Sequence, residues 1–143
     1  MPTRTSEAVW GGSLIEGKGQ ITLGSKAFSG PYDWRGRSGD GAGTNPEELL
    51  AAAHAGCFSM ALSHQLAGAG HPPTKVHTTA KVSFEKQGEG FAITRIDLVC
   101  EAQVPGIDEA AFKKMAQGAK EGCPVSKALS ATPITLDAKL LPA

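Results

Sequence analysis

The residues of this chain best suited to covalent chemistry are its three cysteines, Cys57, Cys100 and Cys123. A thiolate can act as nucleophile, metal ligand or redox centre, so their placement decides which chemistry is open. Three thiols cannot all pair within one chain, and their spacing is too wide for a C-x-x-C redox or zinc motif. In a reducing compartment they rest as thiols, and any disulfide among them is expected to be transient and functional. Cys57 sits within "TNPEELLAAAHAGCFSMALSHQL", where an ordinary helix would carry alanine. A free cysteine there behaves as a small hydrophobe, so packing is the plain reading. Cys123 is placed differently. It precedes Pro124 at a helix start, where free N–H groups and the helix dipole favour a thiolate. One buried thiol and one at a helix end suit a nucleophile and a resolving partner. Cys100 alternates with Ile96 and Leu98 on one strand face and reads as core.

The elements that must position these thiols follow from local pattern. Asn45 is an N-cap, Pro46 the first helical residue, and Glu47 and Glu48 fall in the first turn, all of which favour a helix start. That helix should run to about Ala67, where "GAGHPP" stops it. Between Leu49 and Leu62 only His54 and Ser59 are polar, so the helix is expected to be buried on every side. Before it, "EAVWGG" and "GQITLG" read as short strands. "SGPYDWRGRSGDGAGTNP" reads as a long loop with at most a short strand near residues 32–37. After it come "TKVHTTAKVSFEKQ" and "GFAITRIDLVCEAQV", two strands joined at "GEG". A helix capped by Asp108 and stopped by Gly122 follows, then a short helix from Pro124 and an edge strand over 133–141. The order describes one α+β domain over residues 1–143, with antiparallel sheet wrapped on a central helix.

Composition narrows the partners. Lys plus Arg and Asp plus Glu are 14 each, so no basic excess exists to displace phosphate counterions, and nucleic acid is a poor partner. No apolar run reaches the ~20 residues of a membrane span. The N-terminal residues lack an apolar signal core, so a cytoplasmic protein is expected. "GRSGDGAG" is glycine-rich without the order of a phosphate-binding loop. His54 could lie one turn from Cys57, and a Cys–His nucleophile is conceivable, although it reads chiefly as structural. A zinc site from His54, Cys57, Cys123 and His64 would match no recognised ligand spacing.

Taken together, "GTNPEELLAAAHAGCFSMAL", "GFAITRIDL…VPGID" and "EGCPVSKAL" resemble the OsmC (osmotically inducible protein C) family of thiol peroxidases, close to the organic hydroperoxide resistance proteins, Ohr. "TNPEEL…AAH" and "CPVS" are more similar to the OsmC branch, and the resemblance covers essentially the whole chain. It implies an OsmC-like fold in an interlocked homodimer with its sites at the interface. It further implies Cys57 as the peroxidatic thiol, Cys123 as the resolving thiol, and Arg37 as the cation that stabilises thiolate and peroxide, with Arg35 left open for that place. Glu47 would orient the arginine. Ten residues separate Glu47 from Cys57, ~15 Å along a helix, so Glu47 of one chain serving Cys57 of the other would reconcile the two. The implied substrates are organic hydroperoxides and hydrogen peroxide, with an external dithiol as reductant and neither cofactor nor metal. Trp34 and Phe58 are candidates to line the pocket. The implied setting is defence against oxidative and osmotic stress. The alternative on the same fold is a module that binds a small apolar ligand or a partner, with inert cysteines.

Overall fold

The computed structural model describes residues 2–142. The chain groups into two compact units, Met1–Leu49 and Leu50–Ala143.

The first unit is a three-stranded antiparallel meander, β1 (Ser6–Gly11), β2 (Lys18–Leu23) and β3 (Ser29–Tyr32), followed by a five-residue helix α1 (Trp34–Ser38). The expected strand over 32–37 is therefore corrected: the strand ends at Tyr32 and a helical turn takes over. The cause is local. Asp33 caps that turn, its Oδ1 accepting from the Gly36 amide at 2.9 Å, and so satisfies a donor that the helix start leaves open. The meander has few buried side chains of its own. Trp10 and Tyr32 pack with ring centroids 5.2 Å apart, while Val9, Leu14 and Ile15 stay exposed.

Helix α2 (Pro46–Gly68) begins as its sequence requires, with Asn45 Oδ1 accepting from the Glu48 amide at 2.8 Å. The expectation that it is buried on every side is overturned. His54, Phe58, Leu62 and Leu66, spaced four apart, are fully buried. Ala52, Gly56, Met60 and His64 share that spacing on another stripe and are exposed, Met60 to 75%. Uniform apolarity here reflects two apolar faces, of which this chain covers one.

The second unit continues with the hairpin β4 (Lys75–Gln87) and β5 (Gly90–Gln103). It turns at Gly88, whose φ of +62° suits a residue without Cβ. Alternation along β5 buries Ile96, Leu98, Cys100 and Ala102, as period-two patterning predicts. Helix α3 (Glu109–Gly122), capped by Asp108, adds Phe112, Ala116 and Ala119 to the same core. A short helix α4 (Pro124–Ala128) and strand β6 (Ile134–Leu141) complete the chain. β6 lies at the sheet edge but runs parallel to β5, which refines the expected antiparallel sheet. Two helices between β5 and β6 supply the long crossover that a parallel neighbour needs.

Candidate functional site

Two pairs of residues come together, one in each unit. In the second unit, α2 presents Cys57 and the α3–α4 junction presents Cys123, with their sulfurs 2.7 Å apart. Both are free thiols. The expected burial is reversed between them. Cys123 is fully buried and Cys57 is half-buried, because Cys57 stands between the buried stripe at Phe58 and the exposed stripe at Gly56. Cys123 is indeed the residue before the first turn of α4, with Pro124 next.

The surroundings separate the two thiols chemically. Burial pushes the Cys57 thiol above its ordinary value and its hydrogen bond to Cys123 adds to the rise, with only the Val125 amide opposing. Burial also pushes Cys123 up, but the contact with Cys57, the amide and hydroxyl of Ser126 and the Val125 amide outweigh it and leave that thiol below its ordinary value. The two thiols are thus shifted in opposite directions, Cys57 above its ordinary value and Cys123 below.

In the first unit, Arg37 Nε donates to Glu47 Oε1 at 2.8 Å. Glu47 is 6% exposed, so its charge is withdrawn from water and met by the guanidinium. Its second oxygen, Oε2, is buried without a partner among the described residues. Asn45 ties this corner together, capping α2 and donating from Nδ2 to the Gly36 carbonyl at 3.1 Å. Of the two arginines the sequence left open, Arg37 makes this pair, whereas Arg35 is exposed. The pair forms within one chain. Arg37 also lines a cavity of about 250 Å³ with Trp10, Leu14, Tyr32, Asp33, Trp34 and Pro46. Trp34 thus lines this cavity of the first unit. Phe58 does not, being fully buried in the core.

His54 is fully buried, with Nε2 2.7 Å from Ser126 Oγ. Sequence reasoning passed over Ser126, although it is the last residue of "CPVS". Trp10 and Tyr32 were also missed, because nothing in a strand pattern shows that two rings from β1 and β3 will meet. Among the described residues no three His, Cys, Asp or Glu side chains are grouped to hold a metal ion, and His64 is exposed. No helix among them is long and apolar enough to cross a membrane.

Comparison with known proteins places this α+β fold. The model of the OsmC-like protein family matches residues 39–139. Peroxiredoxin OsmC of Escherichia coli (strain K12) is 49% identical over 138 residues, 96% of each chain. The organic hydroperoxide resistance protein of Xanthomonas axonopodis pv. citri (strain 306) is 35% identical over 104 residues, 71% of this chain and 68% of that one. Among solved structures, an organic hydroperoxide resistance protein OsmC from Legionella pneumophila superposes with a TM-score of 0.71 at 25% identity, over 97% of this chain and 99% of the other. An OsmC-like protein from Mycoplasma pneumoniae, 18% identical, shares the fold with a TM-score of 0.76 over 98% of each chain. The chain belongs to the OsmC family.

Proposed function

We propose that this protein is a thiol-dependent peroxidase that reduces organic hydroperoxides and hydrogen peroxide. The observation that carries the reading is the pair of free sulfurs, Cys57 and Cys123, 2.7 Å apart. The Cys57 thiolate attacks one oxygen of the peroxide. The O–O bond breaks, the leaving alkoxide takes a proton and departs as alcohol, and Cys57 becomes a sulfenic acid. Cys123 then attacks the Cys57 sulfur, hydroxide leaves as water once protonated, and a disulfide closes. An external dithiol reopens it by exchange, becoming a disulfide itself. Neither cofactor nor metal is needed.

The first step requires a Cys57 thiolate, and within one chain burial and Cys123 hold that proton on. A cation beside the sulfur would favour the thiolate. On this reading the protein works as a homodimer in which Arg37 of a second copy, oriented by Glu47, faces Cys57. Arginine suits the place because its charge is permanent and its planar fork can also hold a peroxide oxygen. The uncovered apolar stripe of α2 and the exposed Val9, Leu14 and Ile15 of the first unit are surfaces that dimer burial would remove from water. Aromatic walls beside Arg37 would then receive the apolar part of an organic hydroperoxide. On this reading residues 1–143 act as one peroxidase domain, in the cytoplasm, in defence against oxidative and osmotic stress.

The test is consumption of cumene hydroperoxide in excess dithiol. Cys57→Ser is expected to fall to the uncatalysed rate. Cys123→Ser should accumulate a sulfenic acid trappable by dimedone, with no intramolecular disulfide. Full turnover in Cys57→Ser would overturn the reading and leave the cavity as a ligand-binding site.

A further inference from the structure

A disulfide between Cys57 and Cys123 offers two sulfurs to an external dithiol, and exchange depends on which of them is attacked. The fold treats the two unequally. Cys123 is fully buried, and its own chain supplies the cover. It stands at the junction of α3 and α4, its amide donating to the Ala119 carbonyl at 2.9 Å and its carbonyl accepting from the Lys127 amide at 3.0 Å. Its backbone is therefore tied into both helices, and Ala119 and Ser126 on either side of it along the chain are buried too. A second copy of the chain can only add to that cover. Cys57 is half-buried and adjoins the exposed stripe of α2. On the peroxidase reading a hydroperoxide reaches it, so the way to this sulfur is open in the working protein.

Closing the disulfide leaves this inequality in place. The two sulfurs stand 2.7 Å apart, and a disulfide needs about 2.05 Å between them. The bond closes by a shift of well under an ångström, so Cys123 need not leave the core to reach Cys57. Thiols that rest far apart must open a segment of the fold to meet, which exposes both; here no opening is required. Displacement at sulfur runs in line with the bond that breaks. A thiolate attacking Cys123 would have to pass through the residues packed around it, whereas one attacking Cys57 approaches from the side away from Cys123.

We propose that the reducing dithiol attacks Cys57 and not Cys123, so that hydroperoxide and reductant use one sulfur and one entrance in turn. The inference rests on the peroxidase reading above and assigns the course of its reducing half. One thiolate of the dithiol donates an electron pair to the Cys57 sulfur. The Cys57–Cys123 bond breaks, and Cys123 departs with the bonding pair as a thiolate. The dithiol is then held on Cys57 as a mixed disulfide. Its second thiolate attacks its own first sulfur, releases Cys57 as a thiolate and leaves as an intramolecular disulfide, two electrons having passed to the protein. The acidities of the two thiols run the same way. Cys123 lies below its ordinary value and Cys57 above it, and the thiol of lower pKa leaves faster. Cys123 thus acts only from within the core, while Cys57 meets every molecule that comes from outside.

The experiment locates the first adduct. Parent protein is oxidised with one equivalent of cumene hydroperoxide and mixed briefly with glutathione, a monothiol that cannot complete the second exchange. After acid quench and alkylation of free thiols, peptide mass spectrometry is expected to find glutathione on Cys57 and the alkyl label on Cys123. Since neighbouring sulfurs can pass an adduct between them, single-thiol chains follow each one alone. With Cys100→Ala in both, Cys123→Ser leaves Cys57 and Cys57→Ser leaves Cys123. Exchange with dithiobis(nitrobenzoate), read as released thionitrobenzoate, should be about a hundredfold slower at Cys123, because its packed junction must open first. The two rates should converge in urea. Should a single-thiol chain fail to fold, the adduct mapped in the parent decides. Glutathione first on Cys123, or comparable native rates in the two chains, overturns the inference and leaves the peroxidase reading standing. A parent protein that consumes no hydroperoxide overturns that reading, and this inference with it.

Discussion

The ion pair Arg37–Glu47 and the thiol pair Cys57–Cys123 are built in opposite ways. The first is made of charge and held by hydrogen bonds: Asp33 capping α1, Asn45 bridging to Gly36, and Glu47 taken out of water beside the guanidinium. The second is made of weakly polar sulfur and held by core packing, with Phe58 next to Cys57 and Ala119 one turn before Cys123, both fully buried. Each is deficient in what the other has. Burial and Cys123 raise the Cys57 thiol, while Glu47 keeps a buried oxygen without a partner among the described residues. A rigid apolar frame fixes two sulfurs well and solvates a charge badly; a polar corner does the reverse.

The comparison is broken most directly at Arg37. Arg37→Ala should leave the thiol pair intact and lower kcat/KM for cumene hydroperoxide about a hundredfold, the usual loss when one charge-stabilising donor is removed from a reacting centre. Mixing Arg37→Ala copies with Cys57→Ser copies should restore part of the activity, because some mixed dimers would hold one complete site. No recovery on mixing, with dimers shown to exchange, would mean that the arginine serves the thiol of its own chain.

Glu47→Gln sharpens the same point with a smaller effect. The amide keeps the shape and one acceptor but loses the charge that holds the guanidinium, so turnover should fall about tenfold, in proportion to a charge-assisted bond reduced to a neutral one. Thermal stability should drop by about 1–2 kcal/mol, less than for a fully buried pair because Arg37 remains partly in water. An unchanged rate would show that α1 alone aims the arginine.

How much of this was legible in the sequence also divides along the two regions. The thiol region could be read from its elements: the Asn45 cap, period-two burial along β5, the Asp108 cap and Pro124 after Cys123 are all local rules that the fold obeys. Which thiol is the more exposed could not be read. A helix apolar all round gives no sign of which face its own chain will cover, so Cys57 looked buried while Cys123 proved to be. In the polar region the pairing of Arg37 and not Arg35 with Glu47 depends on a five-residue helix inside a glycine-rich loop. Its signal was one Asx cap at Asp33. The link from His54 to Ser126 spans 72 positions and has no local signature at all.

The smallest effect on turnover belongs to the third thiol, and it tests whether packing alone makes a cysteine inert. Cys100 is fully buried on β5, opposite Thr78 of β4. Burial pushes its thiol from 9.0 to about 11, and a hydrogen bond with Thr78 offsets that only in part. It has the apolar frame of the Cys57–Cys123 pair without a second sulfur or a set of amides beside it. Cys100→Ala should therefore leave peroxide turnover unchanged. Its mark should appear in stability against pH instead. Between pH 9.0 and about 11 the unfolded thiol ionises while the folded one keeps its proton, so the unfolded state binds fewer protons and stability falls as pH rises through that window. The decline should amount to about 2 kcal/mol by its upper end, read as urea midpoints at successive pH values. Cys100→Ala should remove that part of the slope while lowering stability at neutral pH by about 1–2 kcal/mol for the small void it leaves. An alkaline slope left unchanged by the substitution would mean that Cys100 contributes none of it, and that a buried strand position does not by itself keep a thiol protonated.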